Sequence, residues 1–201
     1  MGLLAFSVLY ARGSILVVVL EFSILLLIFL LGAANYWAYI FGHYVLIGPT
    51  QFPHLHKMVN DGAAAIQLRR VPKAFVYNAN GLMNAFAIRL LGGPYVMLTA
   101  SLIDADTDAQ ARFVIGHELG HHAAGHLNFR TNLFRWPGHM VPFLGAADSH
   151  ARERTCDRVG AHLSGDTAAS RGALQMLACG SARLNAVMKS DAFKAPLIKS
   201  P

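Results

Sequence analysis

Residues 15–31, ILVVVLEFSILLLIFLL, constrain this chain most: seventeen positions interrupted only by Glu21 and Ser23. Low polarity continues through GAANYWAYIFGHYVLIG to Gly48. A membrane-spanning helix needs about 20 apolar residues at about 1.5 Å each, so this stretch exceeds one upright span. Two short helices hinged at Gly32-Ala33-Ala34-Asn35 would use it up. One long tilted helix followed by an interfacial belt of Tyr36, Trp37, Tyr39 and Tyr44 would do so equally well. A cleaved signal peptide fits less well, because Arg12 is its only leading charge, the apolar stretch is overlong and Glu21 lies inside it.

The rest of the composition narrows the function classes. The chain is 54% hydrophobic and only 14% charged, which excludes a disordered protein. Its net charge of +6 comes from scattered basic residues, and the densest group, Arg152, Arg154 and Arg158, is interleaved with Glu153 and Asp157. No nucleic-acid module or basic aromatic stripe is present, so nucleic acid is excluded as a partner, and attraction to anionic lipid accounts for the charge. Cys156 and Cys179 have neither CxxC spacing nor scaffold density. Glutamate is rare, at Glu21, Glu118 and Glu153 only, whereas four of the ten histidines fall within residues 117–126.

Past the apolar segment, Pro49, Pro53 and then DGAAAIQLRR read as a polar connector over 49–70 running into a helix. From Val71 the chain reads as short strands, AFVYN (74–78), NAFAIRL (84–90) and YVMLT (95–99). With Asn80-Gly81 as a hairpin turn, these predict a small antiparallel meander. Thr107 with Gln110 makes a capping box opening a helix to about Leu127. A loop containing Trp136-Pro137-Gly138 precedes a helix around 148–163, and Gly165-Asp166 separates that from a third over 167–188. The expected organisation is a membrane anchor over 1–48, a connector over 49–70 and an α+β domain over 71–201.

The chemistry lies on the helix opened by Thr107. In His117-Glu118-Leu119-Gly120-His121 the two imidazoles sit four residues apart, on one helical face, and can share a metal ion. Glu118, one position round, can reach a metal-bound water as general base. An extended form of the motif, with glycine and histidine further along, fails at Ala124 and Leu127. His122 and His126 lie off the metal face as supporting or surface residues. A carboxylate on a following helix is the remaining source of a third ligand. Glu153 and Asp157 form an i, i+4 acidic pair, unfavourable unless a cation lies beside them. Zinc on Glu153, with Asp157 accepting from a ligand imidazole, would supply that cation. A surface helix balanced by its own arginines is the plainer reading of the same pair.

These motifs together, NAFA (84–87), VIGHELGH (114–121) and SHARERTCD (149–157), resemble the HtpX-type and CAAX-prenyl-endopeptidase-type membrane metallopeptidases. The resemblance implies a zincin-like minigluzincin fold, one Zn2+ held by His117, His121 and Glu153, Glu118 as base and Asp157 behind a ligand. It also implies that Asn84 and Ala85 line the cleft and pair with an extended polypeptide substrate. A lipid bilayer partner and a bacterial cytoplasmic membrane location follow, with the catalytic part on the cytoplasmic side. The chain departs from the family pattern at His150 and Cys156 and has no histidine after His162. His150, His162 and Arg171 are therefore the candidates for stabilising the transition state. A zinc-binding, catalytically weak relative that binds peptides or serves a membrane complex is the alternative function.

Overall fold

The apolar N-terminal segment folds as one uninterrupted helix, α1 (Gly2–His43), in the computed structural model, which describes residues 2–90, 93–139, 141 and 143–188. The hinge drawn at Gly32-Ala33-Ala34-Asn35 does not form. No proline lies within α1, and a lone helical glycine costs only about 1 kcal/mol relative to alanine, too little to break a helix this long. Over Ser14–His43 it is long and apolar enough to cross a membrane, with an 18-residue stretch of mean hydropathy 3.0. Ser23 donates its hydroxyl to the Val19 carbonyl at 2.7 Å, so that polar group is satisfied within the helix. Contacts divide the chain into Met1–Tyr44 and Val45–Pro201, and the second unit holds the remaining elements.

That second unit contains a four-stranded sheet: β1 (Val45–Leu46), β2 (Lys73–Tyr77), β3 (Ala85–Leu90) and β4 (Gly93–Thr99), in spatial order β1-β2-β4-β3. The expected antiparallel meander is incorrect. β4 lies between β2 and β3, parallel to β2 and antiparallel to β3. Asn80-Gly81 does form a tight turn, with φ of 52° and 89° and the Leu82 amide on the Ala79 carbonyl at 3.1 Å. The strands it separates are simply not partners. Val96, Met97 and Leu98 of β4 are fully buried, and a strand apolar on both faces takes the covered central place.

The stretch 49–70 runs into a helix, as its sequence suggests. It forms α2 (Pro53–Ala65), whose Leu55, Met58, Val59 and Ala63 share one core with Val96, Leu98, Leu102, Phe113, Val114 and Leu119. A short α3 (Ala100–Ala105) leads into α4 (Asp108–Ala123). The capping box is present: Thr107 Oγ1 accepts from the Gln110 amide and Gln110 Oε1 from the Thr107 amide. α4 stops four residues before Leu127, because Gly125 takes a left-handed φ of 68° and turns the chain back.

An unanticipated helix, α5 (Phe129–His139), occupies the expected loop, with Pro137 near its end. α6 (Leu144–Ser164) follows. Gly165 and the Asp166 cap then separate it from α7 (Thr167–Cys179), as the sequence suggests. Gly180, at φ 66°, splits the third expected helix into α7 and α8 (Ala182–Asn185).

The α4–α6 contact positions the site. A Cβ on Gly116 would come within 2.9 Å of Gly160 Cα, and one on Gly120 within 3.1 Å of Cys156 Cα. The two backbones therefore touch along a seam of small residues, which sets α6 in register with α4.

Candidate metal centre

That register brings His117 and His121 on α4 to Glu153 and Asp157 on α6. His117 Nε2 lies 3.3 Å from His121 Nε2 and 3.3 Å from Glu153 Oε2, while His121 Nε2 is 3.9 Å from Glu153 Oε1. Two ligands of a tetrahedral ion at about 2.0–2.1 Å stand about 3.3–3.4 Å apart, so the donor spacing fits zinc. The outward nitrogens are engaged elsewhere. His117 Nδ1 is 2.9 Å from Asp157 Oδ1, and since a carboxylate only accepts, the imidazole donates there. His117 Nε2 is then a bare lone pair aimed at the shared point.

His121 is fixed in a way the sequence reading missed. Its Nδ1 lies 3.2 Å from His126 Nδ1, so donation there would likewise free Nε2 for a cation. A straight helix to Leu127 would put His126 on the far side. The turn at Gly125 instead folds it back, with its amide on the His121 carbonyl at 3.1 Å. Asn132 Nδ2 and the Arg152 guanidinium both donate to the His126 carbonyl and pin the loop. His122 faces away, with Nε2 on the Tyr95 carbonyl at 3.0 Å.

Cys156 is a second potential third ligand, since its sulfur lies near His117 and His121. Glu153 fits better. Its oxygens meet the two free Nε2 atoms, whereas Cys156 Sγ contacts His126 Nδ1 at 3.5 Å and is fully buried against α4. Burial, followed by the neighbouring carboxylates, pushes that thiol up to about 12, so it is held neutral.

The electrostatics of the metal-free cluster separate its members. Burial opposes charge on His117, but the Asp157 hydrogen bond and the charges of Glu118, Asp157 and Glu153 outweigh it and raise its pKa. Burial, then His117, His126 and the nearby Arg152, lower His121 to about 4. Glu118 is buried and raised to about 7, chiefly by desolvation, against the pull of His117 and a hydrogen bond from the Ala87 backbone.

The sheet edge completes the site. Asn84 pairs with Thr99 on β4 through two bonds of 3.0 Å, so by the period of two the amides of Ala85 and Ala87 point away from β4 toward the open edge. A cavity of about 380 Å³ is lined by Asn84, Ala85, His117, Glu118, Glu153 and Asp157 on its polar side and by Met83, Val114, Leu174 and Leu177 on its apolar side. All six residues singled out from the sequence for chemistry other than His121 line it, and His121 adjoins His117. His150, His162 and Arg171 are exposed and do not line it.

Residues 49–137 match the model of Peptidase family M48, within which the HtpX-like and CAAX-type enzymes fall. The match takes in β3 and HExxH and ends before α6. The chain is similar to the plastoglobule-localized metallopeptidase 48, chloroplastic, of Arabidopsis thaliana, at 26% identity over 166 residues. That alignment covers 76% of this chain and 48% of the relative, so the chain spans about half the relative's length.

Proposed function

From a chain whose residues 49–137 carry a Peptidase family M48 domain, we propose a membrane-anchored zinc endopeptidase acting on unfolded or membrane-associated polypeptides. The observation that carries this reading is the convergence of His117 Nε2, His121 Nε2 and Glu153 Oε2 beside a buried Glu118. His117, His121 and Glu153 hold the ion, and α1 lies in the bilayer. Zinc bound there supplies a Lewis acid and a water whose pKa falls toward about 7.

The protein's own residues do the rest. Glu118 takes the proton of the attacking water and returns it to the leaving amine. The Ala87 amide keeps that carboxylate aimed into the cleft. Asp157 and His126 hold the two imidazoles in the tautomer that leaves Nε2 free. Ala85, whose backbone faces the open edge of β3, pairs with an extended substrate backbone, Asn84 with its backbone turned to β4 lines the cleft beside it, and the Leu174 and Leu177 wall receives an apolar side chain. The relative's name places that protein in chloroplasts, so it lends nothing to the bacterial cytoplasmic membrane expected from the sequence.

A catalytically weak, peptide-binding role is the second reading. It is favoured by one observation: among the described residues, no arginine, lysine or non-ligand histidine lines the cleft to stabilise a developing anion. Zinc content and casein hydrolysis of the full-length protein and of Glu118→Gln test both. One equivalent of zinc in each protein, with turnover lost only in the variant, supports the endopeptidase. Equal turnover removes Glu118 as base. Zinc without turnover in the parent favours the second reading, and absence of zinc overturns both.

A further inference from the structure

α5 is built inside out. Its polar side meets the protein: Arg135 approaches Asp148 of α6 at 3.8 Å, and Asn132 donates to the His126 carbonyl. Its outward side carries Phe129, Leu133, Phe134 and Trp136, and Phe134 is 85% exposed. Phe129, Leu133 and Trp136 follow the i, i+4, i+7 spacing of a single helical face and, with Asn132, line a shallow depression. The turn after α5 extends the patch through Val141, Phe143 and Leu144, Phe143 being 88% exposed. A solvated helix of a globular protein turns this face inward, and so large an apolar patch marks an interaction surface.

Charge and composition identify the occupant. No carboxylate occurs between Glu118 and Asp148, while Arg130 is exposed among the aromatics. Phenylalanine, tryptophan and leucine on one side, with arginine as the only exposed charge, match a helix lying in the headgroup boundary of an anionic bilayer. The same chain has a helix long and apolar enough to cross a membrane. We propose that α5, with Val141, Phe143 and Leu144 after it, seats on an anionic lipid surface as a second, peripheral membrane contact between HExxH and Glu153. This rests on the membrane reading of α1 only in requiring a bilayer nearby.

The chain has two tryptophans, Trp37 in α1 and Trp136 in α5, so each contact has its own reporter. The full-length protein is reconstituted into phosphatidylcholine–phosphatidylglycerol vesicles with brominated acyl chains. Trp37→Phe leaves Trp136 as the sole emitter, and Trp136→Phe leaves Trp37. Bromine quenching of Trp136 is expected. It should fall at least about twofold when Leu133 and Phe134 are changed to Ser, or when Arg130→Glu is tested. Trp37 quenched with Trp136 unquenched overturns the proposal and leaves the anchor standing. The reverse pattern upholds α5 and removes the anchor. Trp136 shielded from both bromine and aqueous acrylamide indicates a protein partner or a second copy, and also overturns the proposal.

Discussion

His117 Nδ1 and Asp157 Oδ1 meet at 2.9 Å across forty residues of chain, one on α4 and the other on α6. In the proposed metal site the contact would orient the imidazole and raise its basicity as a ligand, and partners of this kind are worth about 10–100-fold in metal affinity. Asp157→Ala should therefore weaken zinc binding by about 10–100-fold in a chelator competition, with the fold retained. Unchanged affinity would place Asp157 outside the site.

His126 acts on His121 in the corresponding way. His126→Ala should lower zinc affinity by about tenfold, whereas His126→Asn, which still offers an acceptor, should recover part of the loss. If both variants lose affinity equally, the Nδ1–Nδ1 contact is not what matters.

Glu153 and Cys156 can be told apart by metal content. Glu153→Ala should leave well below one equivalent of zinc on the purified protein. Cys156→Ala should keep its zinc, because that sulfur is turned toward His126. Retention by Glu153→Ala with loss by Cys156→Ala would reverse the ligand assignment.

Asp106 offers a pH test remote from the ligands. Both its carboxyl oxygens are buried with no hydrogen-bond partner among the described residues, and desolvation raises it from 3.8 to about 7. Between those values the folded state keeps a proton that the unfolded chain has released. Asp106 therefore lowers stability progressively as pH rises from about 4 to about 7, and the penalty is complete above that. Asp106→Asn should raise Tm at pH 8 and leave it nearly unchanged at pH 3.5. The opposite shift at His121 is common to both proteins and cancels in the difference. Equal Tm differences at the two pH values would refute the assignment.

Gly160 tests the helix seam. A Cβ there would sit 2.6 Å from the Phe113 carbonyl oxygen, a contact that only backbone movement relieves. Gly160→Ala should cost about 1–3 kcal/mol, seen as a lower denaturation midpoint, and should weaken zinc binding by displacing Glu153 and Asp157. A stable variant with unaltered affinity would mean that the seam does not set the register.

Much of this was readable from local pattern. The apolar stretch announces α1, Thr107 and Gln110 announce the start of α4, and HExxH places two imidazoles on one face because a helix repeats every 3.6 residues. Each depends on neighbours only a few positions apart. Asn80-Gly81 shows the limit of such signals: the turn forms as its residues demand, but which strands pair depends on how deeply β4 is buried.

The sequence by itself determined which side chains were available for the chemistry, and within α4 their spacing. Only the tertiary structure decided which of them meet. Gly125 reverses the chain and carries His126 back to His121, and the seam at Gly116, Gly120 and Gly160 brings Glu153 and Asp157 to the histidines. It also turned the apolar side of α5 outward, with Asn132 on the His126 carbonyl and Arg135 on Asp148 of α6. The reason is physical: helical periodicity is a property of adjacent residues, whereas packing of one backbone against another depends on every element in the core.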